Sequence, residues 1–415
     1  MTTANLPVEE QVQALMRGVE YGDANIQRTM EEELRARLAE GRPLRVYAGF
    51  DPTFTELHIG HMIPMLKLRQ FQRFGHEVVF LMGTMTATIG DPSDKTAARQ
   101  MLTREEVEAN TQSWLDQAFR VLDRDRTTVK RNADWLAALT LSEMVEVASN
   151  FTVAQFLDHE TFRNRMAEGK PLYIHEFIYA LMQAYDAHHL QTDVQVGGVD
   201  QLFNIMAGRQ LQRALGERPL IAMTVPLLVG TDGVLKMSKS VGNSINLGEP
   251  AAQIYGKVMS IPDSLMPNYY TLLTDVPSNE IAQIEAGLRS AGGRINPMEA
   301  KKRLAREVVT LLDGVEAASE AQEEFERVFQ RREEPEEAEQ IALVLDADGK
   351  AAVDITQLVA QAGAVASRSE ARRLLAQGAI AIDGQTISEA RVELAEGSLV
   401  RVGRHRFLRV VAADA

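Results

Sequence analysis

The stretch Leu44-Arg45-Val46-Tyr47-Ala48-Gly49-Phe50-Asp51-Pro52, followed by His58-Ile59-Gly60-His61, decides the fold. Residues 44–50 form a short apolar run closed by Gly49 and Asp51-Pro52, which reads as a buried strand and a sharp turn. Residues 59–74 have helical periodicity and stop at Gly75, a C-cap residue. Residues 77–82 read as a second strand. Thr103 and Glu106 make a capping box for a helix running to about residue 122. Further strands are expected at 127–130, 194–196 and 221–229, and helices at 12–40, 142–150, 153–167, 174–190 and 199–215. Strands alternating with helices imply an α/β domain, a parallel sheet covered on both faces. From 250 to 329 the pattern is all helical, and the last segment mixes helices with short strands.

Composition limits the chemistry. The chain has 415 residues, a formal net charge of −14 and no cysteine. That excludes disulfides, a thiolate nucleophile and Cys-ligated zinc or iron–sulfur centres. The start of the chain lacks the basic and apolar blocks of a secretory signal. The longest apolar stretch, 221–230, is about half of the roughly 20 residues a membrane helix needs. The expectation is a cytoplasmic protein without membrane contact. The charge is uneven: residues 351–415 hold eight Arg against seven acids, while 315–340 holds ten Glu against three Arg. Glu333-Glu334-Pro335-Glu336-Glu337 reads as a self-repelling linker. The expected division is 1–246, 247–335, an acidic linker at 336–350, and 351–415.

The common phosphate-binding fingerprints are missing. His58-Ile59-Gly60-His61 instead opens a helix, where free N–H groups favour phosphate. An isolated pair of this kind is more often two surface histidines or a metal site. Lys236-Met237-Ser238-Lys239-Ser240 lies far downstream between Gly230, Gly233 and Gly242, and alone is only a basic loop. Together, the first after the first strand and the second past the last, the two motifs resemble the class I aminoacyl-tRNA synthetases. Residues 43–246 are similar to the tyrosyl-tRNA synthetases in particular. The resemblance implies a Rossmann-like catalytic domain, a helical domain binding the anticodon stem, and a small α+β RNA-binding domain.

It also implies roles. Tyr47 and Asp186 would bond the phenol hydroxyl of L-tyrosine. Asp91, Tyr179 and Gln183 would hold its ammonium, and Gln201 its carboxyl end. Asp200 would bond the ribose of the adenylate, with Gly49, Asp51 and Gly60 also on the ATP side. His58 and Thr53 would meet the leaving phosphates of ATP and His61 the nucleotide. Lys236, Met237, Ser238, Lys239 and Ser240 would close over the pyrophosphate, helped by Lys95 and Arg99. Mg2+ would arrive with ATP, and no metal held by the protein itself is expected. Ala48 departs from relatives that carry Cys there, and KMSKS replaces the KFGKT-like form of others. Tyr179, Gln183 and Asp186 fall on one helical face, and with Asp200-Gln201 they argue against the related tryptophanyl-tRNA synthetases. Intact motifs argue against an RNA-binding relative without catalysis.

Residues 354–410 resemble the alpha-L RNA-binding module. Ser367 or Ser369 would cap a helix presenting Arg368, Arg372 and Arg373 to RNA, with Arg401, Arg404, Arg406 and Arg409 following. The implied partners are tRNA(Tyr), L-tyrosine, ATP and a second copy of the chain in a homodimer.

Overall fold

A computed structural model describes residues 6–92, 102–289, 295–327, 338–346, 349–403 and 406–413. Five strands, β1 (Arg45–Phe50), β2 (Glu77–Met82), β3 (Thr127–Arg131), β4 (Val194–Gly198) and β5 (Ile221–Val225), form one sheet in the order β3-β2-β1-β4-β5. Every neighbouring pair is parallel. Sequential strands step outward from β1 to β3, and the chain then returns to β4 on the other side of β1. In such doubly wound sheets the crevice at this reversal, beyond the carboxyl ends of the strands, is where ligands bind. The register sets Tyr47 beside Val79 on one side and Gln195 on the other.

The sheet is buried on both faces, as its near-continuous apolar runs require. Leu44, Val46, Met62, Leu68, Phe71 and Phe80 are fully shielded from solvent. Each such side chain contributes about 1.5–3 kcal/mol. β5 stops at Val225, short of the expected end at 229, because Pro226 has no N–H for the ladder. Residues 12–40 contain two helices, Val8–Met16 and Ala24–Leu38, parted at Gly18 and Gly22, which have φ of 69° and 70°. Residues 153–167 likewise divide into Val153–Leu157 and Glu160–Ala167, with extended backbone at His159. Thr103 and Glu106 form the expected reciprocal cap, at 3.2 and 2.8 Å.

Beyond the sheet come helices Ala251–Ser260, Met266–Leu273, Ser278–Arg289 and Pro297–Phe325, the last broken at Gly314. Up to Ser319 they belong with the sheet domain to one compact unit, Met1–Ser319, and the last helix runs on to Phe325. Tyr269 Oη donates to the Val229 carbonyl at 2.7 Å, and Arg17 donates to the carbonyls of Val276 (2.7 Å) and Tyr270 (3.0 Å). Lys67 is buried and donates to the carbonyls of Leu15 and Arg17, both at 2.8 Å, so it caps the end of helix Val8–Met16. Burial pulls its pKa down to about 7. Among the described residues, no helix is long and apolar enough to cross a membrane.

The second unit, Glu320–Ala415, is α+β. Strands β6 (Glu339–Leu343), β7 (Lys350–Asp354), β8 (Ile380–Ile382), β9 (Gln385–Thr386), β10 (Arg391–Ala395), β11 (Leu399–Val402) and β12 (Arg406–Ala412) form a sheet β6-β12-β11-β8-β9 and a separate antiparallel pair β10-β7. Helices Ile355–Gln361 and Arg368–Ala376 pack on a core that includes Ile355, Val359, Ala371, Ile380, Val400 and Val410. β6 falls within the stretch expected to be linker. It pairs in parallel with β12, Ile341 opposite Val410. Ile341 and Leu343 alternate with exposed neighbours and pack on the core, a period-two pattern hidden by the adjoining Glu run.

Candidate active site

A cavity of about 800 Å³ opens at the carboxyl ends of β1 and β4. It brings together Tyr47, Gly49, Asp51, Thr53, His58, Gly60, His61, Asp91, Tyr179, Gln183, Asp186, Asp200, Gln201 and the whole run from Lys236 to Ser240. The size suits a small-molecule site. Lys95 and Arg99 lie outside the described residues.

One wall is the start of helix Ile59–Arg73. His58 is its N-cap, with extended backbone. The Gly60 N–H donates to His58 Nδ1, and the His58 N–H donates to His61 Nδ1, both at 3.2 Å. Two of the helix-end donors that would otherwise be orphaned are thereby satisfied. The rings sit 3.8 Å apart. Burial, with Lys236 nearby, pulls His58 down to about 4, and burial pulls His61 well below its usual range. Both imidazoles are therefore neutral near pH 7. With Nδ1 accepting, each carries its proton on Nε2 and offers an N–H donor. Gly60 is required by contact: a Cβ there would lie 2.9 Å from two atoms of the His58 ring.

The opposite end is built on helix Ile174–His189. Asp186 is 2% exposed, and its oxygens accept from Trp135 Nε1 (2.8 Å) and Asn132 Nδ2 (3.0 Å). Burial pushes its pKa up to about 8 against the pull of those donors. Tyr47, 1% exposed, has a buried hydroxyl with no hydrogen-bond partner among the described residues. Gln195, its register neighbour, has an unpartnered buried Oε1 in the same cavity. Tyr179 Oη donates to Asp51 Oδ2 at 2.9 Å, and Thr86 Oγ1 donates to Asp51 Oδ1 at 2.7 Å. Asn132 Nδ2 also donates to Thr86 Oγ1 at 3.0 Å. Asp51 and Asp186 are thus joined through Thr86 and Asn132. Asp51, expected on the ATP side, bonds the Tyr179 hydroxyl. Gln201 donates to Asp91.

A further wall of the cavity comes from the loop between Gly230 and Asn243. Met237 is buried, and its N–H donates to the Leu228 carbonyl at 2.7 Å. Asn243 clasps the loop: its Oδ1 accepts from the Ser238 N–H (2.8 Å), and its Nδ2 donates to Asp232 Oδ2 (2.8 Å) and the Lys236 carbonyl (3.2 Å). Lys239 pairs with Glu56 at 2.6 Å. The loop tip points outward, with Val234 80% exposed.

In the second unit, Ser367 rather than Ser369 caps helix Arg368–Ala376, accepting from the Glu370 N–H at 3.2 Å. Arg372 and Arg373 are exposed. Arg368 is exposed too, but its Nη2 donates to Asp354 Oδ2 at 2.6 Å, which ties it to the cap of helix Ile355–Gln361. Arg406 donates to the Gly363 carbonyl. Arg404 lies outside the described residues.

Sequence reasoning misses Asn132, Trp135, Thr86, Gln195 and Asn243. Asn132 and Trp135 sit at a four-residue helix, Ala133–Leu136, too short for a periodicity signal. The one available cue is the position just past a strand of a parallel sheet.

Residues 39–330 match the family described as class I tRNA synthetases (W and Y), and residues 355–400 match the S4 domain. A tyrosine–tRNA ligase from Moorella thermoacetica is 44% identical over 407 residues, 97% of either chain. One from Geobacter sulfurreducens is 43% identical over 98% of this chain and 100% of its own. A solved, C-terminally truncated mitochondrial tyrosyl-tRNA synthetase from Coccidioides posadasii superposes with a TM-score of 0.58 at 26% identity, over 75% of this chain and 91% of that one. A cavity joining the two motifs over a parallel sheet, with near full-length likeness, places this chain in the tyrosine–tRNA ligase family of class I synthetases.

Proposed function

We propose that this cavity activates L-tyrosine with ATP and passes it to tRNA(Tyr). The observation that carries the reading is the buried, unpartnered hydroxyl of Tyr47 in the same cavity as buried Asp186. An isolated buried hydroxyl costs free energy, and a substrate hydroxyl placed there offsets that cost. Phenylalanine would leave the Tyr47 hydroxyl unpaired and give Asp186 no substrate hydroxyl to meet. Tyrosyl-tRNA synthetases are themselves the reference case of such discrimination, at about 10⁵.

In the first step a tyrosine carboxylate oxygen attacks the α-phosphorus of ATP. The bond from that phosphorus to the bridging oxygen breaks, and pyrophosphate leaves with the electron pair. The nucleophile is already ionised, so positioning and charge stabilisation suffice. His58 and His61 donate Nε2–H bonds to phosphate oxygens without needing protonation, with Thr53 beside them. Lys236 and Lys239 supply the mobile positive charge, and Mg2+ enters with ATP as substrate. Asp91, Tyr179, Gln183 and Gln201 orient the amino acid, and Asp200 the ribose. Lys95 and Arg99 are assigned to the same phosphate-binding group. In the second step a ribose hydroxyl of the tRNA terminal adenosine attacks the carbonyl and AMP leaves.

The helical segment 247–335 is assigned to the anticodon stem, and Arg368, Arg372 and Arg373 to RNA backbone. A homodimer in the cytoplasm is assigned by the same family reading, and the exposed apolar Leu141, Val153 and Ile174, 81%, 69% and 79% accessible, are the residues to test at its interface. Tyrosine-dependent ATP–pyrophosphate exchange tests the reading. Exchange is expected with tyrosine, not with tryptophan, and Lys236→Ala should lower it by orders of magnitude with tyrosine binding near normal. Exchange as fast in Lys236→Ala as in the parent refutes the lysine's role.

A further inference from the structure

The indole of Trp135 is engaged on its edge and on its face. Its Nε1–H donates to Asp186 Oδ1 at 2.8 Å. Its ring plane is covered by the imidazole of His189, with centroids 4.4 Å apart and planes 17° from parallel. His189 is the last residue of helix Ile174–His189, one turn beyond Asp186, and it is exposed while Trp135 is 9% accessible. Tyr185 is a second ring beside the imidazole, with centroids 6.3 Å apart and planes 27° from parallel. The indole thus has His189 on its plane and the buried Asp186 carboxyl on its N–H edge. Trp135 stands on a helix of only four residues, which is too short to hold a side chain's orientation by itself. An indole that turns about its own axis loses the bond to Asp186, and a flat ring against its face opposes that turn.

We propose that His189 is a positioning residue for amino-acid recognition. Its imidazole holds the Trp135 N–H on Asp186, and so sets the carboxyl group that reads the substrate hydroxyl. The proposal rests on the role of Asp186 argued above.

The test uses full-length His189→Ala, His189→Phe and Asp186→Asn in the pyrophosphate-exchange assay, with KM for tyrosine, KM for ATP and the tyrosine-to-phenylalanine kcat/KM ratio. His189→Ala should raise the tyrosine KM by about threefold to tenfold and narrow the ratio, with the ATP KM unmoved. His189→Phe keeps a flat ring and should restore parent values. An unmoved tyrosine KM in His189→Ala, an equal rise in both KM values, or His189→Phe as impaired as His189→Ala overturns the proposal. An unchanged ratio in Asp186→Asn overturns the reading of the pocket and the proposal with it. A changed ratio there, with parent behaviour in His189→Ala, overturns the proposal alone.

Discussion

Replacing Tyr47 with phenylalanine should make the protein more stable and less selective at once. The hydroxyl removed belongs to a residue 1% exposed and has no partner among the described residues. A buried unsatisfied donor costs about 1–3 kcal/mol. Removing it without changing the ring should stabilise the ligand-free enzyme by about 1 kcal/mol or more, which is about 2 °C or more in Tm for a unit of this size. With tyrosine bound, the same change loses one neutral hydrogen bond, about 0.5–1.5 kcal/mol. Its kcat/KM for tyrosine should fall about twofold to tenfold. With phenylalanine bound, the parent hydroxyl stays unpaired and the variant has none, so kcat/KM for phenylalanine should hold or rise. The selectivity ratio therefore narrows by at least about twofold to tenfold. Thermal unfolding without ligand, and exchange with each amino acid, measure both effects. A lower Tm with an unchanged ratio refutes the reasoning, because it would mean the hydroxyl serves the fold and not the substrate.

Other outcomes follow from the same geometry. Asp186 keeps its proton in the fold up to about pH 8, while in an unfolded chain it loses it near 4. The folded state thus binds more protons across that window, and stability falls as pH rises through it. Asp186→Asn removes this term and should gain on the parent by up to about 1.4 kcal/mol per pH unit; a difference in unfolding free energy that stays constant between about pH 5.5 and 7.5 counts against it. Gly60→Ala should displace the His58 ring, since the new Cβ would lie 2.9 Å from it, and lower kcat/KM for ATP about 10–100-fold; parent activity would show that the ring has room to move. Deleting 338–415 takes away the whole β6-to-β12 sheet and should reduce aminoacylation far more than pyrophosphate exchange. Equal losses in the two assays would count against an RNA-binding role for that unit.

The sheet and most of the site are legible because their signals are local and redundant. A strand, a turn and a capped helix each leave a mark within ten residues around Tyr47 and His58, and the helical offsets of Tyr179, Gln183 and Asp186 predict a shared face. What escapes is set by distance in sequence. Asn132 meets Asp186 across 54 residues, and no periodicity announces it. The expected role of Asp51 follows from its neighbours in the chain, whereas its partners, Thr86 and Tyr179, come from two other elements. β6 is hidden because its five residues border a Glu run. Arg368 illustrates a subtler limit: its type and spacing suit RNA, and only the fold shows that Asp354 already engages it.

The outward tip of the loop from Gly230 to Asn243 has a practical consequence. Because the chain contains no cysteine, a thiol introduced at Val234, 80% exposed, would be the sole attachment point for a dye or spin label. Asp232 links that position to the clasp, its Oδ1 accepting from the Val234 N–H at 3.0 Å and its Oδ2 from Asn243 Nδ2 at 2.8 Å, so a label there would report on the clasp itself. Any movement of this loop could then be followed with no background thiols to remove first.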